Sequence, residues 1–185
     1  MTALCARAGL GALLALSELA APPAGAQGAA VAPPTVVSVA ARPEDAPRAL
    51  VLSDQARRFL LLQYRGFPTE FMGCMIGSVN GQAVVVDRIA PADVDPAQST
   101  PTWVVPRQTC ESAGWTGTVG TIHSHPSAER CWYFFPGTGV PSSDGASFLS
   151  TRYPVDAIMC GERIVWINRD LAQQELPLTR PRSRE

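Results

Sequence analysis

The chain contains no lysine, and all 15 of its basic residues are arginine. It has only two histidines, His123 and His125, two positions apart. Chemistry that needs imidazole is therefore confined to one spot. A Ser-His-Asp hydrolase or a multi-histidine metal cluster elsewhere in the chain is excluded. Charge of neither sign is in excess: 15 basic and 16 acidic side chains leave a formal net charge of −1. A nucleic-acid partner, which would call for a basic surplus, is not expected. No C-x-x-C pair occurs, which argues against a cysteine zinc site. The remaining composition is globular, with 46% apolar residues in 185. That length suits one domain with a core of its own.

The first 26 residues read as a secretory signal peptide. Arg7 gives a positive start, Leu10 to Leu16 an apolar run, and Ala24-Gly25-Ala26 a small-x-small cleavage site. The apolar run is too short to span a bilayer, which takes ~20 residues, so no stable membrane span is expected. Glu18 runs against the export reading, and the alternative is an Ala/Pro-rich leader. Export would place the mature protein in a periplasmic or secreted, oxidising setting; without it the chain would be cytoplasmic. Cleavage would leave Cys74, Cys110, Cys131 and Cys160. Cys74 and Cys160 sit in apolar runs and read as buried thiols. Cys110 and Cys131 lie in polar loop sequence and are the better disulfide candidates.

Residues 27–52 read as an Ala/Pro-rich leader, 53–168 as the folded domain, and 169–185 as a polar tail. Ser53 can cap a helix from Asp54 to about Tyr64, stopped by Gly66 and Pro68. Phe71 to Val79 suits a buried strand, Asn80-Gly81 a hairpin turn, and Ala83 to Ile89 the returning strand. Further strands are expected at Trp103–Val105, Thr116–Ile122, Val155–Cys160 and Arg163–Ile167. Ser142 or Ser143 can cap a short helix through about Thr151. Trp103, Trp115 and Trp166 are expected in the core. The sum is α/β or, more specifically, α+β: a mainly β core with two helices against it, in a single domain.

His123-Ser124-His125 ends the strand that begins near Thr116. Residues two apart in a strand share a face, so both imidazoles can reach one metal ion. A mononuclear zinc site with an open position needs one more nitrogen or oxygen ligand. Asp144, at the start of the second helix, is the only aspartate between His125 and Asp156.

The string His123-Ser124-His125-Pro126, followed by Pro141-Ser142-Ser143-Asp144, resembles the JAMM metalloproteases, the JAB/MPN-domain peptidases. The segment from Glu70 through Gly73 to Gly77 is similar to the family's upstream glutamate-glycine motif, and it follows the first helix in the same order. The resemblance implies that His123, His125 and Asp144 are zinc ligands and that Glu70 is the general base for a water at the open position. It further implies that a serine supports the oxyanion, Ser142 being the first choice and Ser143 the second. It implies a zinc-dependent metallopeptidase or isopeptidase acting on a protein or peptide substrate. The chain departs from the family in spacing. Sixteen residues, Pro126 to Pro141, separate His125 from Ser142, more than the family has, and Ser142 is two residues before Asp144 rather than three. The added loop carries Trp132, Tyr133, Phe134 and Phe135; it reads equally as a substrate-recognising lid and as a loop packing its own aromatics. A different functional class, a metal-free scaffold or interaction module of the same fold, would be expected to have lost the ligands.

Overall fold

The computed structural model describes residues 46–179. The expected signal peptide and most of the expected leader lie outside them. The described residues fall within one compact unit. Its elements run β1 (Ala49–Leu52), α1 (Asp54–Gly66), β2 (Met72–Asn80), β3 (Ala83–Pro91), β4 (Thr118–Ser124), α2 (Ser143–Ser150), β5 (Val155–Cys160), β6 (Arg163–Asn168) and β7 (Gln173–Pro177). The seven strands form one sheet in the order β1-β3-β2-β4-β5-β6-β7. The pairs β1–β3 and β4–β5 are parallel and the others antiparallel. The α+β expectation holds.

Two expected boundaries do not. Ala49–Leu52, assigned to the leader, is a strand pairing with β3. Gln173–Pro177, assigned to the polar tail, is a strand pairing with β6. β1 is only four residues long, and β7 is polar because it closes the sheet's edge, where burial merely alternates. Trp103–Val105 forms no named strand. Trp103 makes an isolated bridge to Thr100, and Pro106, just beyond the segment, another to Val94. In the β2–β3 hairpin the reversing residues are Gly81 and Gln82, since Asn80 pairs with Ala83. Gly81 takes a φ of 58°, which is why a glycine stands there.

The helices cover opposite faces of the sheet. Ala56 and Leu60 of α1 pack with Met75, Ile122, Ala157, Met159 and Trp166. Phe148 of α2 packs with Tyr133, Ile158, Cys160, Val165 and Ile167. Successive residues of a strand face opposite ways, so β5 sends Ala157 and Met159 to one core and Ile158 and Cys160 to the other. All six of its residues are buried, which explains why, Asp156 apart, it is apolar on both faces. α1 starts where the Ser53 hydroxyl accepts from the Ala56 amide at 3.0 Å.

The disulfides correct the sequence expectation. Cys110 and Cys131 are not partners: Cys74 pairs with Cys110 and Cys131 with Cys160. Each bridge ties one loop cysteine to one strand cysteine. A loop thus anchors to the side of the sheet it covers, and neither strand cysteine is a free thiol.

Candidate metal centre

β4 carries His123 on the α2 face of the sheet, in register with Met72 on one side and Ile158 on the other. His125 lies just past the strand, its amide donating to the Met159 carbonyl at 2.9 Å. The two rings stand 5.1 Å apart. The backbone around them is pinned from three directions. The Ser124 hydroxyl accepts from the Phe71 amide at 3.0 Å, which fixes the residue next to Glu70. The Glu70 amide donates to the Thr100 carbonyl at 2.9 Å. From α1, the Tyr64 hydroxyl lies 3.2 Å from the His125 carbonyl and 3.1 Å from that of Pro126. Sequence reasoning missed Tyr64; a polar tip near the end of an apolar helix face was its only signal.

Asp144 sits in the first turn of α2. Ser142 is that helix's cap: its oxygen accepts from the Gly145 amide at 3.1 Å. Its hydroxyl proton is directed at the Trp132 and Tyr133 carbonyls, 3.0 and 3.1 Å away. A hydroxyl has one proton to donate, and that of Ser142 is committed to the loop. Ser142 therefore positions the helix carrying Asp144. Ser143 is exposed on the cleft beside Asp144. Close packing also fixes the turn: a Cβ on Gly145 would lie 2.0 Å from the Tyr133 carbonyl oxygen.

The structure brings together the residues the sequence motif proposes. His123 Nε2 is 3.6 Å from Asp144 Oδ1, His125 Nε2 is 3.5 Å from Asp144 Oδ2, and His125 Nε2 is 3.7 Å from Glu70 Oε1. Ligand atoms of His123, His125 and Asp144 all lie within 4.8 Å of one another. Two ligands ~2.1 Å from one tetrahedral ion are themselves ~3.4 Å apart, so these separations suit zinc. The donor set agrees. Among the described residues, His123 Nε2 is buried without a hydrogen-bond partner, and such a nitrogen is costly unless something binds it. His125 Nδ1 lies 2.8 Å from the Glu129 carbonyl. Donation there places the proton on Nδ1 and leaves the Nε2 lone pair for a metal. A second cluster, His125 with Cys131 and Cys160, has its two sulfurs in a disulfide.

Without metal, the charges are poised unevenly. Burial raises the Glu70 carboxyl to about 7, although the His123 charge opposes it. Burial would raise Asp144 too, yet the adjoining His123 and His125 hold it below the usual carboxylate range. Burial works to lower His123, but Asp144, Asp156 and Glu70 outweigh it and raise that group. His125 is lowered, by burial first and by the His123 charge second.

Behind His123 lies a carboxylate outside the expected set. Asp156 is buried and in register with Thr121. It accepts from the Thr121 hydroxyl and, at 3.0 Å, from the fully buried Tyr133 hydroxyl. Tyr133 belongs to the sixteen-residue loop, so the loop is stitched to the sheet beside the metal centre. The packing reading of that loop holds for alternate residues. Cys131 and Tyr133 point into the core, whereas Trp132 and Phe135 line a cleft of about 670 Å³. That cleft also holds Glu70, His123, His125 and Asp144. Trp103, expected in the core, instead stands 56% exposed on its rim. Trp166 is buried and Trp115 half-buried, as expected. The Glu129 side chain is exposed on the cleft and its carbonyl serves His125. The loop is strained where it passes the site: Ala128 and Arg130 take φ of 55° and 54°, a left-handed backbone costing roughly 1–2 kcal/mol per residue without glycine.

The family described as prokaryotic homologs of the JAB domain matches over residues 52–133. The match includes Glu70, His123 and His125 and ends before Asp144. Among solved structures, a Desulfitobacterium hafniense protein determined in solution is similar at 19% identity and a TM-score of 0.41, over 69% of this chain and 90% of that one. No curated protein matches.

Proposed function

We propose that the chain carries a domain of the JAB/MPN family, as the match over residues 52–133 supports, and that it is a zinc-dependent peptidase, cleaving a peptide or isopeptide bond. The observation that carries this reading is the orphaned His123 Nε2, set at tetrahedral spacing with His125 Nε2 and the Asp144 carboxylate. His123, His125 and Asp144 would hold the ion. Bound there, zinc would supply Lewis acidity and a water more acidic than bulk water.

The chain's own residues do the rest. Glu70 Oε1 lies 3.7 Å from His125 Nε2. There its carboxylate can take a proton from a water attacking a peptide carbonyl and return it to the leaving amine. Burial raises the Glu70 carboxyl in the metal-free chain, and a bound zinc ion would oppose that rise and favour the carboxylate that acts as base. Ser142 holds α2, and hence Asp144, in register with the histidines. Trp103, Trp132 and Phe135 give the cleft apolar walls that can exclude water and grip a peptide. Two disulfides fit an oxidising compartment and so support export to a periplasmic or extracellular site.

Chelation tests the reading. The zinc-loaded chain should cleave members of a peptide library, lose that activity on removal of zinc, and regain it on reloading. Asp144→Ala should bind no zinc at the concentration that saturates the native chain. Cleavage indifferent to chelation would overturn the proposal.

A further inference from the structure

Arg130 is the only residue with a fixed positive charge among the described residues lining the cleft. It shares that lining with Glu70, Glu129, Asp144 and Asp156 and also borders a second pocket beside Arg163; among the described residues its exposed side chain makes no ion pair and no hydrogen bond. Its place is fixed on both sides. The Ala128 amide donates to the His125 carbonyl at 2.9 Å, the Trp132 amide donates to the Arg130 carbonyl at 2.9 Å, and the next residue is bridged to β5 by Cys131–Cys160. Its left-handed backbone is held by these ties and not by its own side chain. The guanidinium is near enough for its charge to act on the His125 ring. An exposed cation with no ion pair among the described residues, on a strained loop lining a carboxylate-rich cleft, is free to meet a ligand.

We propose that Arg130 determines substrate choice by binding a carboxylate of the peptide close to the scissile bond. The planar guanidinium takes a carboxylate through two parallel hydrogen bonds, a geometry lysine cannot supply. The carboxylate is either the free C-terminus of a peptide cut near its end or the side chain of an acidic residue. Trp132 and Phe135, on the same loop, then contact the flanking apolar part of the substrate. This inference rests on the peptidase reading for its meaning, but not for its test.

The test is binding, measured without turnover on the full, zinc-loaded chain carrying Glu70→Gln. The probes are an N-acetylated dipeptide with a free carboxylate, the same dipeptide amidated, and an amidated dipeptide ending in glutamate. Quenching of tryptophan fluorescence reads the affinity. One of the two acids should bind tenfold or more tightly than the neutral amide, in line with a hydrogen-bonded charge pair. Whichever acid is preferred identifies the source of the carboxylate. Adding Arg130→Gln should abolish the preference, whereas Arg130→Lys should keep part of it. Zinc content, measured alongside, verifies that each variant still forms the site. A preference that survives in Arg130→Gln would assign the carboxylate to the metal and overturn the proposal, as would the absence of any preference. Hydrolysis of the same peptides by the chain with Glu70 intact separates the two readings. Acid-selective binding with no cleavage leaves the clamp standing and removes the peptidase, and cleavage without selectivity does the reverse.

Discussion

Glu70→Gln should stabilise the metal-free protein in mildly alkaline solution. Glu70 is 5% exposed, and burial raises its carboxyl from 4.5 to about 7. The folded chain therefore holds a proton that the unfolded chain has released over that interval. The stability Glu70 contributes is fully present below about pH 4.5 and is lost as pH rises through about 7. At roughly 1.4 kcal/mol per pH unit the loss amounts to about 3 kcal/mol by pH 8. Glutamine cannot ionise and is spared it. Urea unfolding of both metal-free proteins, disulfides intact, should give equal stabilities near pH 4. The variant should gain progressively to about 3 kcal/mol by pH 8. Asp144, which is held low, contributes the opposite slope: its stability is lost as pH falls. That slope is present in both proteins, so the difference curve reports Glu70 together with its coupling to His123. A difference flat across pH, or a glutamine variant less stable than the native chain at pH 8, would refute the reasoning.

Ser142→Ala removes the cap of α2 and should cost about 1 kcal/mol in unfolding experiments. It should weaken zinc binding in a competition titration, while turnover at saturating zinc persists. Gly145→Ala forces a Cβ against the Tyr133 carbonyl and should lower zinc affinity well beyond the effect of Ser142→Ala, with the circular dichroism of the sheet unchanged. Joint replacement of Cys74 and Cys110 by alanine opens a loop of 36 residues. Chain-entropy arguments put the resulting loss at about 3–4 kcal/mol, readable by chemical denaturation.

How much of this was legible in the sequence depended on whether the determinant was local. The Ser53 cap, the apolar face of α1 and the β-branched β3 announced themselves because capping and periodicity are properties of adjacent residues. The histidine pair, Glu70 and Asp144 are legible through the order and spacing of a motif, and the structure links them through contacts at 3.6 Å from His123 to Asp144, 3.5 Å from Asp144 to His125 and 3.7 Å from His125 to Glu70. Properties set by distant parts of the chain were not legible. Cys74 and Cys160 looked like core thiols because they sit in apolar strands, and only the folded loops bring Cys110 and Cys131 to them. β7 looked like tail because an edge strand with one half-covered face needs few apolar residues. Ser142 looked like an oxyanion donor because the motif names a serine there, but its proton goes to carbonyls of a loop longer than the family pattern provides for. Trp103 looked like core because tryptophan usually is; here a loop holds it at the rim of the cleft.

In the proposed reaction a water activated at this site cleaves a peptide bond with Glu70 as its base. Product analysis of a peptide library incubated with the zinc-loaded full chain, beside zinc-loaded Glu70→Gln, tests it most directly. New amine and carboxylate termini are expected from the native chain, and none from the variant at equal zinc content. Cleavage by Glu70→Gln at the native rate, or a zinc-replete native chain that cuts no peptide, would contradict it.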